Sequence, residues 1–166
     1  SFTGSLSFTQ GGSAATVRNA GTYGFAAGTL AITSTNSNYQ VVLANTLSNT
    51  YVINPVTVTL SASKTYDGSA IFASSNSAVT YTVTTGVGSE TLGLSGSATA
   101  NSANVQTVSS LPTTGLSLVN GSGGGLASNY LLPASTSNVT IVPKVITASL
   151  SNQTKVYDTS TSATLT

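Results

Sequence analysis

Residues 56–68 read Val56-Thr57-Val58-Thr59-Leu60-Ser61-Ala62-Ser63-Lys64-Thr65-Tyr66-Asp67-Gly68. Over Val56–Leu60, apolar and hydroxylated side chains alternate with period two, which predicts a half-buried β-strand. Asp67-Gly68 is turn chemistry: the Asp carboxylate bonds nearby backbone, and glycine accepts positive φ at no steric cost. Lys64-Thr65-Tyr66-Asp67 then recurs as Lys155-Val156-Tyr157-Asp158, 91 residues further on. Ser37-Asn38-Tyr39 recurs as Ser128-Asn129-Tyr130 at the same spacing. Tyr51-Val52-Ile53-Asn54-Pro55 answers Val139-Thr140-Ile141-Val142-Pro143 after 88 residues, and Gly28-Thr29-Leu30 answers Gly115-Leu116-Ser117 after 87. Four landmarks in one order define an internal repeat, with the drift in spacing that variable loops produce.

The repeat divides the chain. Residues 55–143 read as one complete β module, bounded by Pro55 and Pro143. Residues 1–54 match the C-terminal part of such a module, from near Ser95 onward, and residues 144–166 match the N-terminal strands of a further one. Proline suits both boundaries, because it cannot donate to a ladder and so ends a last strand.

Further strands are predicted at Ala78–Thr84, with Val79, Tyr81 and Val83 on one face, and at Asn138–Val142. Tyr39–Leu43, Val145–Leu150, Gly28–Thr33, Leu92–Leu94 and Gly115–Val119 complete the set. Asp67-Gly68, Asn120-Gly121 and Gly123-Gly124-Gly125 punctuate them. Short strands with frequent turns indicate an all-β chain of tandem two-layer antiparallel modules, sandwich-like or β-grasp-like.

Composition narrows function. Of 166 residues, four are Lys or Arg and three Asp or Glu, and His, Cys, Met and Trp are absent. No imidazole base, cysteine nucleophile, thiolate metal site or disulfide framework can be built. Three carboxylates leave little room for paired-carboxylate chemistry. A net charge of +1 with scattered basic residues provides no footprint for nucleic acid. Ser and Thr make up roughly a third of the chain, yet hydrophobic residues reach 39% and alternate, which argues against disorder. Helix is disfavoured because straight-chain helix formers are scarce and Thr and Val abundant. No apolar run reaches membrane-span length, and Ser1-Phe2-Thr3-Gly4 has neither region of a secretory signal.

The residues that carry the repeat also carry a family resemblance. Lys64-Thr65-Tyr66-Asp67-Gly68-Ser69-Ala70, after its Val/Thr strand, resembles the K-x-Y-D-G-T-T signature of the YDG repeat. Ser128-Asn129-Tyr130 and Ile141-Val142-Pro143 resemble its N-Y-x-L and T-I-x-P ending. Asn19-Ala20-Gly21-Thr22-Tyr23 with Ser37-Asn38-Tyr39 is similar to the tail of the related MBG modules. The second signature departs from the pattern, with Thr159 in the place of Gly68, so the second turn is expected to be strained or to differ. The resemblance implies tandem stalk and adhesion modules of large bacterial surface proteins, filamentous-haemagglutinin-like adhesins among them. It implies no catalytic residues and no cofactor.

The signature residues are Lys64, Tyr66, Asp67, Gly68, Asn129, Tyr130, Lys155, Tyr157, Asp158, Asn38 and Tyr39. Tyr66-Asp67 read as structure: Tyr66 a core or interface ring, Asp67 a bond to its own turn. Glu90, the sole Glu, has the residue type to catalyse a Lys–Asn isopeptide crosslink with Lys64 or Lys144. Gly121–Gly125 lacks the lysine and helix start of a phosphate loop and reads as a flexible surface loop. Asp67, Glu90 and Asp158 are too dispersed in sequence for a calcium site.

The expected function is a structural segment of a secreted surface adhesin or fibre. Its expected partners are neighbouring modules or copies of the same protein, with surface polysaccharide in second place. An alternative is a self-assembling filament, in which residues 144–166 of one chain complete the open module of residues 1–54 in the next. A carbohydrate-binding module is a third reading.

Overall fold

The computed structural model describes residues 1–10, 13–14, 17–33, 38–42, 50–108 and 110–162. Strands in the N-terminal part are β1 (Phe2–Thr3), β2 (Ser7–Gln10), β3 (Ser13–Ala14), β4 (Gly21–Ala26), β5 (Ala31–Ile32) and β6 (Thr50–Ile53). The central module contributes β7 (Val56–Thr57), β8 (Thr59–Thr65), β9 (Ile71–Ala73), β10 (Val79–Thr84) and β11 (Leu92–Thr99). It continues through β12 (Gln106–Val108), β13 (Leu116–Asn120), a 3-10 turn at Ala127–Asn129, β14 (Tyr130–Leu131) and β15 (Asn138–Val142). The fold is all-β, as the alternation predicts.

The central module is two sheets face to face. One has the order β10-β8-β15-β12, the other β13-β11-β9. Leu60, Ala62, Val139 and Ile141 of the first sheet and Phe72, Ala98 and Leu116 of the second form a buried core, joined by Ala100 and Leu111. Val79, Tyr81 and Val83 pack on it from one face of β10, as period two requires. The Tyr81 hydroxyl donates to the Phe72 carbonyl at 2.7 Å, and burial pushes its pKa up to about 12.

Not every ladder is antiparallel. β8 and β15, the first and last long strands of the module, lie side by side and parallel, with Ser61 opposite Asn138 and Thr65 opposite Val142. β7 and β14 are parallel as well. A parallel pair needs a long crossover, and here everything from β9 to β14, strands of both sheets included, supplies it. Alternation marks which face a residue takes and carries nothing about strand direction, so this pairing was not legible.

The strand at the signature runs further than alternation over Val56–Leu60 indicates. It carries the buried face Leu60, Ala62 and Lys64. Lys64 is therefore a strand residue and the third member of a core stripe. β11 likewise extends past Leu94 to Thr99, through Ser95-Gly96-Ser97. It pairs with β13 up to and including Gly96 and with β9 from Ser97 onward.

The expected flexible loop at Gly121–Gly125 is a packed turn instead. The Thr91 amide donates to the Ser122 carbonyl at 3.0 Å, and the Ser122 amide donates to Thr91 Oγ1 at 2.9 Å. A side chain at Gly121 or Gly125 would collide with the Thr91 carbonyl. Glycine stands there because two backbones meet.

In the N-terminal part, β3-β2-β4-β6 form one sheet and β1 pairs with β5. Phe8 faces Phe25 with ring centres 5.6 Å apart and Tyr51 at 5.2 Å. β5 occupies only Ala31–Ile32 of the predicted Gly28–Thr33 strand. The strand predicted over Tyr39–Leu43 is not formed over 39–42, and Leu43 lies outside the described residues, as does Ser37. Residues 143–162 contain no strand, although strands were expected from Val145 to Leu150. Val145 and Ile146 are 87% and 88% exposed; with no sheet beside them, their ladder has nothing to pair with.

Candidate functional site

Lys64 is the centre of the signature. Its side chain is fully buried, and all three ammonium protons are used. Nζ donates to Asp67 Oδ1 at 2.8 Å, to the Ser69 carbonyl at 2.5 Å and to the Ile71 carbonyl at 3.1 Å. The ammonium also lies 5.1 Å from the centre of the Phe72 ring, within cation–π reach. Period two sends the stem of Lys64 inward beside Ala62, and the charge emerges where the chain turns from β8 toward β9. Asp67 Oδ1 also accepts from the Ser69 amide at 2.9 Å, and Ser69 Oγ accepts from the Ile71 amide at 3.1 Å. The Lys64 ammonium, Asp67 Oδ1 and the Ser69 hydroxyl are thus each engaged within the same turn.

Lys64 beside Asp67, and then the Ser69 amide, hold the Asp67 carboxyl below its ordinary value. A carboxylate depressed on folding contributes stability that is present above its unfolded value, about 3.9, and lost as pH falls through the folded value. Urea midpoints are therefore expected to fall as pH drops below about 4, and Asp67→Asn is expected to flatten that decline. Parallel acid limbs for the two proteins would dissociate the decline from this pair.

The second signature builds the same turn. Lys155 Nζ donates to the Ser160 carbonyl at 2.7 Å and to the Ser162 carbonyl at 2.9 Å, and lies 2.8 Å from Asp158 Oδ1. Asp158 Oδ1 accepts from the Ser160 amide, and Ser160 Oγ from the Ser162 amide. Lys155 holds the Asp158 carboxyl below its ordinary value too. Gly68 has φ +80°, and Thr159 takes φ +63°, the one positive φ among described non-glycine residues. The second turn does not differ; it keeps its shape against the preference of a β-branched residue. Left-handed backbone costs an L-residue about 1–2 kcal/mol. Thr159→Gly is expected to raise the population of this turn several-fold, read as slower hydrogen exchange of the Ser160 amide.

The other signature residues fall into two groups. Tyr66 is 39% exposed and Tyr157 85%, so neither is a core ring; Tyr66 contributes its amide, which donates to the Val142 carbonyl at 2.8 Å. Asn38 and Tyr39 are exposed. Asn129 and Tyr130 instead meet the N-terminal part of the chain. Asn129 Oδ1 accepts from the Ala20 amide at 2.8 Å, and Asn129 Nδ2 donates to Asn19 Oδ1 at 3.2 Å. The receiving turn is fixed by Tyr23, which is buried and donates its hydroxyl to the Asn19 carbonyl at 2.7 Å. Tyr130 is buried, and its hydroxyl donates to Glu90 Oε2 at 2.6 Å, a contact that raises the phenol pKa.

A cleft of about 130 Å³ lies at this junction, lined by Arg18, Ala20 and Ile53 on one side and by Glu90, Asn129 and Tyr130 on the other. The three acidic side chains sit in three separate places. Lys64 and Glu90 share no partner, and no asparagine touches the Lys64 ammonium, so the groups of an isopeptide crosslink are not assembled there.

Sequence reasoning placed Asp67 correctly on its own turn. It missed Phe72 as the ring beneath the ammonium and Asn19-Ala20 as the partner of Asn129. The signal for Asn19-Ala20 lay in Asn19-Ala20-Gly21-Thr22-Tyr23, a motif with no partner assigned.

A family model described as the YDG domain matches residues 49–138 of the chain. Comparison with curated proteins and with solved structures returns no match.

Proposed function

Because this chain belongs to the YDG domain family, we propose that it is a structural segment of a secreted bacterial surface adhesin or extracellular fibre, made of tandem modules bounded at Pro55 and Pro143. The observation that carries this reading is where the distinctive polar residues are used. The Lys64 signature is consumed by its own turn, and the Asn129 signature joins one part of the chain to the next. Neither the Lys64 ammonium nor the Asn129 amide is left to present its polar head to a substrate. The test is localisation of the parent protein: antibodies against residues 55–143 label intact producing cells if the reading is right. Label that appears only after the cells are broken open overturns it.

A second reading rests on one further observation. β15 accepts β8 as a parallel neighbour on one edge and β12 on the other. β6, which stands in the same position before Pro55, has only β4 among the described residues. Meanwhile the Lys155 turn is formed on a segment without a sheet. Residues 144–162 of one copy have the pattern to fill the edge of β6 in another, giving a head-to-tail filament. Unbranched fibres that vanish on deleting residues 144–166 support this reading, and a strictly monomeric protein at high concentration removes it.

A further inference from the structure

We infer that the turn Asn104-Val105 is a docking site for the Asn129 turn of a following module, a second copy of the module spanning residues 55–143. The inference rests on the stalk reading above and specifies how its modules join.

The existing junction supplies the template. Gly21 opens β4 opposite Ile53, and Ile53 stands two residues before Pro55. Gln106 opens β12 opposite Ile141, and Ile141 stands two residues before Pro143. Both strand pairs are antiparallel and both end at the linker proline. Asn104 and Val105 therefore occupy, next to Pro143, the place that Asn19 and Ala20 occupy next to Pro55. The residue type at the first position is the same, and the second position offers only its amide, so Val105 serves as well as Ala20.

The two turns are also equally well held, by different bonds. Tyr23 fixes the first through the Asn19 carbonyl. Gln106 Nε2 fixes the second by donating to the Ser102 carbonyl at 2.7 Å, and Ser102 Oγ accepts from the Asn104 amide at 3.1 Å. At the first turn the Ala20 amide is taken by Asn129. At the second, the Val105 amide has no hydrogen bond among the described residues. A cleft of about 420 Å³ opens beside it, lined by Tyr66, Asn104, Val105, Pro143, Lys144 and Ile146. Val105 and Lys144 of this cleft correspond to Ala20 and Val56 of the junction cleft. The distal end of the module thus repeats the amide-donating half of a joint whose accepting side chain, Asn129, is on the proximal end.

Hydrogen exchange of two amides tests this. In the native chain the Ala20 amide is expected to be protected, and Asn129→Ala to lower that protection by about tenfold, the factor of one hydrogen bond of ordinary net strength. In a chain where a second copy of residues 56–143 follows Pro143, the Val105 amide is expected to gain protection by a similar factor. Asn129→Ala in the added copy alone is expected to abolish the gain. Slow exchange in the added copy's own β8–β15 ladder reports that it has folded. Should it not fold there, residues 1–160 continued by residues 70–143 keep this protein's own Lys155 turn and are read by the same amide. A folded added copy with Val105 still unprotected overturns the inference, as does an Ala20 amide indifferent to Asn129→Ala. These readouts are made on purified protein, so they fail or succeed independently of where the parent protein resides.

Discussion

Lys64→Ala is expected to destabilise the central module by about 2–5 kcal/mol, from the cavity left by a buried stem and the two carbonyls that lose a charged donor. The ammonium has three acceptors and belongs to a side chain with no exposed surface. Its loss leaves the Ser69 and Ile71 carbonyls without their donor and opens a hole beside Phe72 where the aliphatic stem had been. Lys64→Met separates the two contributions. Methionine refills most of the stem's volume but restores no hydrogen bond, so it is expected to recover only the packing share. Urea unfolding of the 166-residue protein measures both: the midpoint moves and the slope stays, if the native state keeps its compactness. A loss below about 1 kcal/mol, the scale of an exposed pair, would mean that Lys64 reaches solvent.

The second large effect is expected at Phe72. It is fully buried and sits between the two sheets, under the Lys64 ammonium and beside Tyr81, whose hydroxyl bonds its carbonyl. Phe72→Ala is expected to cost about 3–5 kcal/mol, from lost transfer energy and the residual cavity. Phe72→Leu keeps most of the volume and removes the ring face from beneath the charge. Coupling between Phe72→Leu and Lys64→Met in a double-mutant cycle should amount to about 0.5–2 kcal/mol, the span of cation–π contacts from exposed to desolvated sites. Additive effects would show that the ring and the ammonium act as independent packing elements.

These two residues also show where sequence reading succeeds and stops. The strand before Lys64 and the turn after it were legible because alternation and Asp-Gly are local signals. The repeat was legible because rare residues recurred in order, and it located Lys155 and Asp158, whose turn matches that of Lys64 bond for bond. The burial of Lys64 was not legible. A lysine next to a turn reads as a surface charge, and only the core stripe Leu60–Ala62–Lys64 and the distant Phe72 make it an interior one. Strand direction was hidden for the same reason, since the β8–β15 pair is a contact across almost the whole module. Tyr66 misled because the signature seemed to need its ring, whereas the fold uses its amide. Asn129 was legible as a landmark, but its partner in Asn19-Ala20 is 109 and 110 residues away, and nothing local in either segment names the other.

The parallel pairing of β8 with β15 carries one more consequence. The chain enters the β8–β15 pair at the start of β8 and leaves it at the end of β15, and these ends point in opposite directions along neighbouring strands. A tensile load transmitted along the chain therefore drags the two strands past each other lengthwise. The five residue pairs from Ser61–Asn138 to Thr65–Val142 share that load together, whereas a hairpin with both ends on one side would be unzipped one bond at a time. The module is wired to resist being stretched.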